Sequence, residues 1–190
     1  MPPTLYLIAG PNGSGKSTFA RALLSRIQPP LPFVNTDDIV LELGDRHSTQ
    51  AQVRAGRASL ARIARFLSDR KSFVHETTLS GRAQLEMAER AKRAGWRIDL
   101  TFIFVRDWLL SADRVASRVA RGGHDVPRVD IERRFARSLE NFWAMIHLCD
   151  AWDLFDNSGE TYMAIASGTA EEWVVYDHAT FQALEAFRRP

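Results

Sequence analysis

Short apolar runs alternate along the chain with stretches in which apolar residues recur every three or four positions. The continuous runs predict buried strands at residues 5–9, 31–35, 72–75 and 98–105. Helical spacing predicts helices from the first glycine-rich stretch to Ile27, then at residues 49–69, 82–94, 108–121 and 129–148. Weaker strand candidates follow at 151–155, 163–166 and 173–176, before a last helix at 181–187. This alternation predicts an α/β fold whose mostly parallel sheet is covered on both faces.

The first predicted strand runs directly into the sequence GPNGSGKST, which begins at Gly10. The complete GxxxxGK[ST] pattern, placed between a strand and a helix, is typical of the loop that wraps the phosphates of a nucleoside triphosphate. Lys16 is placed for the β- and γ-phosphates, and the Ser17 hydroxyl for Mg²⁺. The predicted nucleotide-binding residues of the loop are Gly10, Pro11, Asn12, Gly13, Ser14, Gly15, Lys16, Ser17 and Thr18.

Acidic side chains follow the second and third predicted strands. Asp37 and Asp38 come after one, and Glu76 ends the other. Functional side chains of an open parallel sheet collect beyond the carboxyl ends of its strands, so these acids are expected near the phosphate loop. Asp37 is a candidate base for an acceptor hydroxyl, although one of the two aspartates could instead cap a helix. Glu76 is expected to act as a metal-side carboxylate or to orient the substrate.

Arginines dominate residues 114–137, which contain seven arginines and three acidic residues. Arg114, Arg118 and Arg121 share one helical face, and Arg134, with Ser138 and Asn141, lies off the apolar stripe of the next helix, free to face a ligand. The Gly122-Gly123-His124 break between the helices predicts a hinge. We interpret residues 108–141 as an arginine-rich lid that closes over a triphosphate, the alternative being a solvated surface.

Charge, cysteine content and apolar run length bear on the partners, the cysteine chemistry and the location of the protein. The formal charge of +2 and the lack of aromatic residues among the lid arginines make nucleic acid an unlikely partner. Cys149, the single cysteine, excludes an internal disulfide and a cysteine-based metal site. The chain has no apolar stretch of the roughly 18 residues that a membrane span needs, and MPPTLYLIAG has no basic leader, so we expect a cytoplasmic protein of one domain over residues 1–190.

Three function classes remain open: a small-molecule kinase, an ABC-type ATPase and a nucleotide-gated binding module. The run TLSGRAQ at 78–84 faintly matches the ABC signature, but no hhhhDE strand follows it, and Ser80 is better explained as a helix N-cap. A guanine-reading NKxD sequence, which a switch protein would need, is absent. We therefore favour the kinase, with the nucleotide-gated ATPase or binding module as its alternative.

Four motifs together resemble the zeta-toxin-like P-loop kinases, and more narrowly the short form often labelled a predicted ABC-type ATPase. They are GPNGSGKST, NTDDI, HETTLSG and the stretch RVASRVARGGHDVPRVDIERRF. The resemblance covers roughly residues 5–141. It implies a P-loop kinase fold and ATP- and Mg²⁺-dependent phosphorylation of a small-molecule hydroxyl, best known in UDP-N-acetylglucosamine, with an antitoxin as partner.

The same resemblance assigns roles to particular residues. It implies that Lys16 and Ser17 bind phosphate and Mg²⁺, that Asp37 is the general base, and that Glu76 and Thr78 contact the substrate. Arg118 and Arg134 would clamp the phosphates, with Arg118 also contacting the nucleotide. Asn157, followed by Ser158, would shape the adenine pocket. The chain is shorter than typical toxins of this family.

Overall fold

The computed structural model describes residues 1–44, 48–121 and 125–188. Within them, seven strands form one sheet: β1 (Thr4–Ala9), β2 (Phe33–Val34), β3 (Phe73–Thr77), β4 (Arg97–Phe104), β5 (Ala151–Asp156), β6 (Met163–Gly168) and β7 (Trp173–Val175). The spatial order is β2-β3-β1-β4-β5-β6-β7. The first five strands in this order are mutually parallel, and β6 and β7 continue the sheet in antiparallel pairing. The predicted α/β fold with a mostly parallel sheet is confirmed.

The described residues form seven helices: α1 (Lys16–Leu24), α2 (Thr36–Glu42), α3 (Thr49–Ser68), α4 (Arg82–Arg93), α5 (Trp108–Val119), α6 (Arg128–Ile146) and α7 (His178–Glu185). Helix α2 was not predicted from the sequence, and α1 is shorter than its apolar spacing predicts. Helix α1 ends at Leu24, and turns follow it before Pro29. The predicted Gly122-Gly123-His124 hinge lies outside the described residues.

The strongest predicted elements match the structure because their apolar residues are buried on the expected faces. The larger core lies between one sheet face and the helices that cover it, and includes Phe73, Phe102 and Phe142, while α1 covers a smaller core on the opposite face around Ile8 and Ile103. Strand β1, at the centre of the sheet, is therefore buried on both sides, as its continuous apolar run predicts.

Helices α5 and α6 share a small core of their own, made by Ala112, Val115, Val126 and Ile131, with Trp108 packed against it. The guanidinium of Arg128 lies 5.1 Å from the centre of the Trp108 ring. The two arginine-bearing helices therefore pack as a pair.

The predicted cap at Ser80 is wrong, and the alternative in which Asp37 or Asp38 caps a helix is also not found. Ser80 does not cap α4, because Gly81 occupies the N-cap position and the Ser80 hydroxyl bonds Thr78 Oγ1 at 2.9 Å. Neither Asp37 nor Asp38 caps α2, because both lie in its first turn. The cap is Asn35, whose Oδ1 accepts a hydrogen bond from the Asp37 amide at 2.8 Å.

Candidate functional site

The loop between β1 and α1 is a tight backbone cradle. Gly10, Gly13 and Gly15 all have positive φ values, at 140°, 71° and 93°, which side-chain-bearing residues rarely adopt. Space is equally restrictive: a Cβ on Gly10 would lie 1.8 Å from the carbonyl oxygen of Ile103, and one on Gly15 would lie 2.4 Å from Asn157 Nδ2. These positions therefore require glycine. The loop ends at the N-terminus of α1, which favours an anion.

Lys16, the first residue of α1, is buried, and its Nζ donates a 2.7 Å hydrogen bond to the carbonyl oxygen of Pro11 across the loop. Burial lowers the pKa of Lys16 to about 8, although Glu76 and Asp37 oppose that change, while Arg118 adds to it. The ammonium therefore remains charged at neutral pH and is held inside the cradle. Glu76 accepts a hydrogen bond from Ser17, the residue after Lys16, and Asp37 pairs with Arg118, so these predicted residues lie at the same edge of the sheet.

Ser17 and Glu76 face each other across the sheet edge. The Ser17 hydroxyl donates to Glu76 Oε1 at 2.8 Å, and the side-chain amide of Asn35 donates to Glu76 Oε2 at 2.7 Å. Burial raises the pKa of Glu76, against the effects of the Lys16 charge and the Ser17 hydrogen bond. A hydroxyl and a carboxylate side by side next to a phosphate cradle are the oxygen donors that Mg²⁺ accepts, since this ion keeps few protein ligands. The residues present therefore fit a magnesium ion.

Asp37 lies in the first turn of α2 and reaches α5, which with α6 forms the pair of arginine-bearing helices that we call the lid pair after its predicted role. Its Oδ2 is 3.6 Å from Nη1 of Arg118 on α5, and both side chains remain about half exposed. Asn35 links this acid to Glu76, because its side chain binds the Asp37 amide through Oδ1 and Glu76 through Nδ2. A base candidate, a cation and a metal-side carboxylate therefore share one cluster beside Lys16.

The residues of α6 that were predicted to face a ligand have other partners in the structure. Arg134 lies 4.0 Å from Asp130, one turn earlier on α6, and the contacts of the described residues do not bring it to Lys16. Ser138 and Asn141, expected to face a ligand, instead donate to the carbonyl oxygens of Thr78 and Leu79 at 2.7 and 2.8 Å. That expectation is wrong, because α6 packs against the connection from β3 to α4 and uses these side chains to hold it.

This connection includes Thr78, predicted to contact substrate. Thr78 is half-buried and follows Glu76 at the same sheet edge, so it remains a candidate. Leu79 is fully buried with a φ of 53°, a conformation that costs free energy for a residue with a side chain. The Leu79 amide donates to Thr77 Oγ1 and the Leu79 carbonyl oxygen accepts from Asn141, while Ser138 holds the carbonyl oxygen of Thr78. The tightly held backbone fixes where Glu76 and Thr78 lie.

Asn157 and Arg114 both make hydrogen bonds within the protein. Asn157, expected in an adenine pocket, donates from Nδ2 to the carbonyl oxygen of Ser14 at 2.9 Å. Arg114, placed by its spacing on the face of Arg118, donates from Nη1 to the carbonyl oxygen of Asn157 at 2.7 Å. Thr18, the last residue of the predicted loop, is exposed on the first turn of α1.

Two residues that contact the site, Asn35 and Tyr162, were not predicted from the sequence. Asn35 precedes Thr36-Asp37-Asp38, the first turn of α2, and an N-cap signal was available there. The Tyr162 hydroxyl donates to the carbonyl oxygen of Gly15 at 2.9 Å, over a sequence separation of 147 residues. No local pattern could reveal that contact.

The sequence of this chain matches a known protein family over most of its length. The model of the family described as the AAA domain matches residues 5–141, which include the cradle, both acidic segments, α5 and most of α6. The chain belongs to this family. It is also 26% identical over 126 residues to an uncharacterised protein of Haemophilus influenzae, covering 66% of this chain and 88% of that protein.

Solved structures share the fold. A chain of the AvrRxo1-ORF1:-ORF2 structure with ATP matches with a TM-score of 0.77 at 19% identity, over 99% of this chain and 65% of that one. The PezAT toxin-antitoxin system of Streptococcus pneumoniae matches with a TM-score of 0.64 at 15% identity, over 98% and 85%. The Pnkp1/Rnl/Hen1 RNA repair complex matches at 0.59 and 22%, over 74% and 45%. The chain thus spans about two thirds of the length of its AvrRxo1 counterpart, and the fold is that of P-loop kinase-like proteins.

Proposed function

We propose that this protein is a zeta-toxin-like kinase that transfers the γ-phosphoryl group of ATP to a hydroxyl of a small molecule. The observation that carries the proposal is the cluster of Lys16, Ser17, Glu76, Asp37 and Arg118 at one edge of the sheet. Positioning and charge stabilisation account for most catalysis of phosphoryl transfer, and this cluster supplies both. The AvrRxo1 structure with the same fold was solved with ATP, which supports the choice of nucleotide.

Each residue has a defined task in this reaction. The loop amides and Lys16 hold the phosphate chain, and Ser17 with Glu76 would hold Mg²⁺, which when bound neutralises charge on the β- and γ-phosphates. The acceptor oxygen forms a bond to the γ-phosphorus while the bond from that phosphorus to the bridging oxygen of ADP breaks. Asp37 takes the proton of the acceptor hydroxyl, and Arg118 stabilises charge on the transferring group.

The ion pair between Asp37 and Arg118 fits these tasks. Its 3.6 Å separation keeps both groups at the mouth of the cradle, and their exposure leaves them accessible to an incoming acceptor. An exposed pair of this kind contributes little to stability, so it separates at low cost when substrates enter. Nucleotide sugars, and first a UDP-N-acetyl sugar, are the acceptors we propose to test.

The decisive experiment incubates the purified protein with ATP labelled in the γ-phosphate and a panel of nucleotide sugars, nucleosides and nucleic-acid ends. We expect label on one class of small-molecule acceptor. Lys16→Ala should abolish transfer and weaken ATP binding while circular dichroism shows a folded protein. Release of label to water alone, stimulated by a partner protein, would instead support a nucleotide-gated ATPase. Undiminished transfer by Lys16→Ala would contradict the proposal.

The proposal extends to a protein partner. The AvrRxo1 and PezAT structures are both two-component assemblies, the second described as a toxin-antitoxin system. We propose that this chain is likewise the toxic component of a pair. Induced expression of the wild-type chain should arrest growth of a bacterial host, and Asp37→Asn should not. Equal growth of both cultures, at equal protein levels, would remove the toxin assignment and leave the kinase proposal in place.

A further inference from the structure

The segment that follows β5 is tied to the phosphate loop at several points. Asn157 Nδ2 donates to the carbonyl oxygen of Ser14, and the Tyr162 hydroxyl donates to that of Gly15, both at 2.9 Å. A Cβ on Gly15 would lie 2.4 Å from Asn157 Nδ2 and 2.9 Å from the Tyr162 oxygen. Both side chains therefore pack directly on the loop backbone.

Arg114, on α5, also binds the segment after β5, which comprises residues 157–162. Its Nη1 donates to the carbonyl oxygen of Asn157 at 2.7 Å, and its Nη2 lies 3.4 Å from those of Ser158 and Gly159. The helix that carries it touches the loop as well, since a Cβ on Gly13 would lie 2.7 Å from the carbonyl oxygen of Ser111. Helix α5, the segment after β5 and the phosphate loop thus form one hydrogen-bonded unit.

The consequence for the loop follows from the planar peptide bond. A carbonyl and the N–H of the next residue lie in one plane and point in opposite directions. Hydrogen bonds to the carbonyls of Ser14 and Gly15, the second of which also accepts from the Phe19 amide at 3.1 Å, therefore orient the N–H groups of Gly15 and Lys16 the other way, toward the cradle. Those N–H groups are the donors that a phosphate chain needs.

We propose that Arg114, Asn157 and Tyr162 are positioning residues that preorganise the loop for the phosphate chain, and that Asn157 does not recognise the base. This inference rests on the proposed nucleotide binding. It reassigns Asn157, whose resemblance-based role is in the adenine pocket, and Arg114, whose helical spacing suggests a ligand-facing cation. Because the three residues act on the loop backbone, their loss should weaken every ligand that carries the same phosphates, whatever its base.

The experiment compares the binding of ATP, GTP and inorganic tripolyphosphate by calorimetry in Mg²⁺. Tyr162→Phe removes one hydroxyl without changing the ring, and we expect about five- to tenfold weaker binding of all three ligands. Asn157→Ala should weaken them by a similar common factor. In the kinase assay, KM for ATP should rise while kcat at saturating ATP stays within about threefold.

A matched control comes from the far edge of the sheet. Tyr176→Phe removes a hydroxyl that bonds Ser167 Oγ at 2.7 Å on β6, away from the loop, and should leave all three affinities unchanged. Melting temperatures measured for every variant identify losses that come from unfolding. An Asn157→Ala protein that loses affinity for ATP but keeps it for tripolyphosphate would place Asn157 in the base pocket and overturn the inference.

Two further outcomes separate this inference from the proposed function. Folded Asn157→Ala and Tyr162→Phe proteins with wild-type affinity for all ligands would overturn the positioning role and leave the kinase proposal intact. A wild-type protein that binds neither ATP nor tripolyphosphate would overturn nucleotide binding, and the positioning role with it. Binding without transfer to any acceptor would remove the kinase step alone, because the affinity comparison does not use an acceptor.

Discussion

Asp37 and Asp38 are adjacent in the chain, but their side chains reach different elements. Asp37 pairs with Arg118 of the lid at 3.6 Å, and Asp38 pairs with Arg21 of α1 at 3.3 Å. Both lie in the first turn of α2 and gain the same favourable interaction with the helix dipole. The local helix therefore does not distinguish them, and their neighbours from distant parts of the chain do.

This difference gives a prediction at the scale of one residue. Asp37→Asn should lower phosphoryl transfer by roughly 10²-fold or more, because the amide cannot accept the proton of the acceptor hydroxyl. ATP affinity should stay within a few-fold of wild type. Asp38→Asn is the matched control, since it removes an exposed carboxylate of the same turn and should leave transfer unchanged. Full transfer by a folded Asp37→Asn protein would move the base elsewhere, with Glu76 as the next candidate.

At the scale of elements, two arginines one turn apart on α5 have different partners. Arg114 anchors α5 to the segment after β5, while Arg118, one turn later, faces Asp37. The small core of α5 and α6 then carries both helices together. Arg118 lies beside Asp37 in this structure, whereas Arg134 pairs with Asp130 on α6.

We therefore predict that the two lid arginines act in catalysis and not in stability. Arg118→Ala and Arg134→Ala should each reduce kcat by about 10³-fold, the range that clamping arginines supply in phosphoryl transfer. Melting temperatures should hardly change, because an exposed ion pair contributes about 0.5 kcal/mol. Arg93→Ala, which removes an exposed pair with Glu89 on α4, is the control for both measurements. Normal turnover in both lid variants would identify the helices as a solvated surface.

At the scale of the whole molecule, the pH dependence of stability should reflect a buried histidine of the sheet that the proposed reaction does not use. His75 lies in β3, packed within the sheet, and its Nδ1 is 3.3 Å from the carbonyl oxygen of Val34 on β2. Burial lowers the pKa of His75 from 6.5 to about 4, against the effect of that hydrogen bond. The folded protein therefore keeps a neutral imidazole where the unfolded chain would bind a proton.

The sign of the pH effect follows from proton binding. Below pH 6.5 the unfolded chain binds the proton that folded His75 refuses, so the free energy of unfolding falls as the pH falls toward 4. Between pH 7.5 and 5.5 this one group should remove about 1 kcal/mol, measured by urea titration at each pH. His75→Gln should lose that part of the pH dependence, and exposed His147→Gln should retain it. An unchanged slope in His75→Gln would contradict the assignment.

The sequence by itself determined the order of strands and helices along the chain except for α2, the parallel character of most of the sheet and the position of the phosphate loop. Those features depend on local signals: continuous apolar runs for buried strands, helical spacing for amphipathic helices, and glycines at required positive φ values. The grouping of Lys16, Asp37 and Glu76 was also predictable, because parallel strands bring their carboxyl ends to one edge. We propose, on the same grounds, that residues 1–190 form one domain.

Only the tertiary structure decided which polar side chains face the site and which hold the protein together. Arg114 and Arg118 share a helical face, yet one binds backbone carbonyls and the other reaches Asp37. Asn157 and Tyr162 meet a loop more than 140 residues earlier in the chain. A hydrogen-bonding side chain has the same appearance in sequence whether its partner is a carbonyl or a phosphate. Its role depends on packing between distant segments, which local periodicity does not specify.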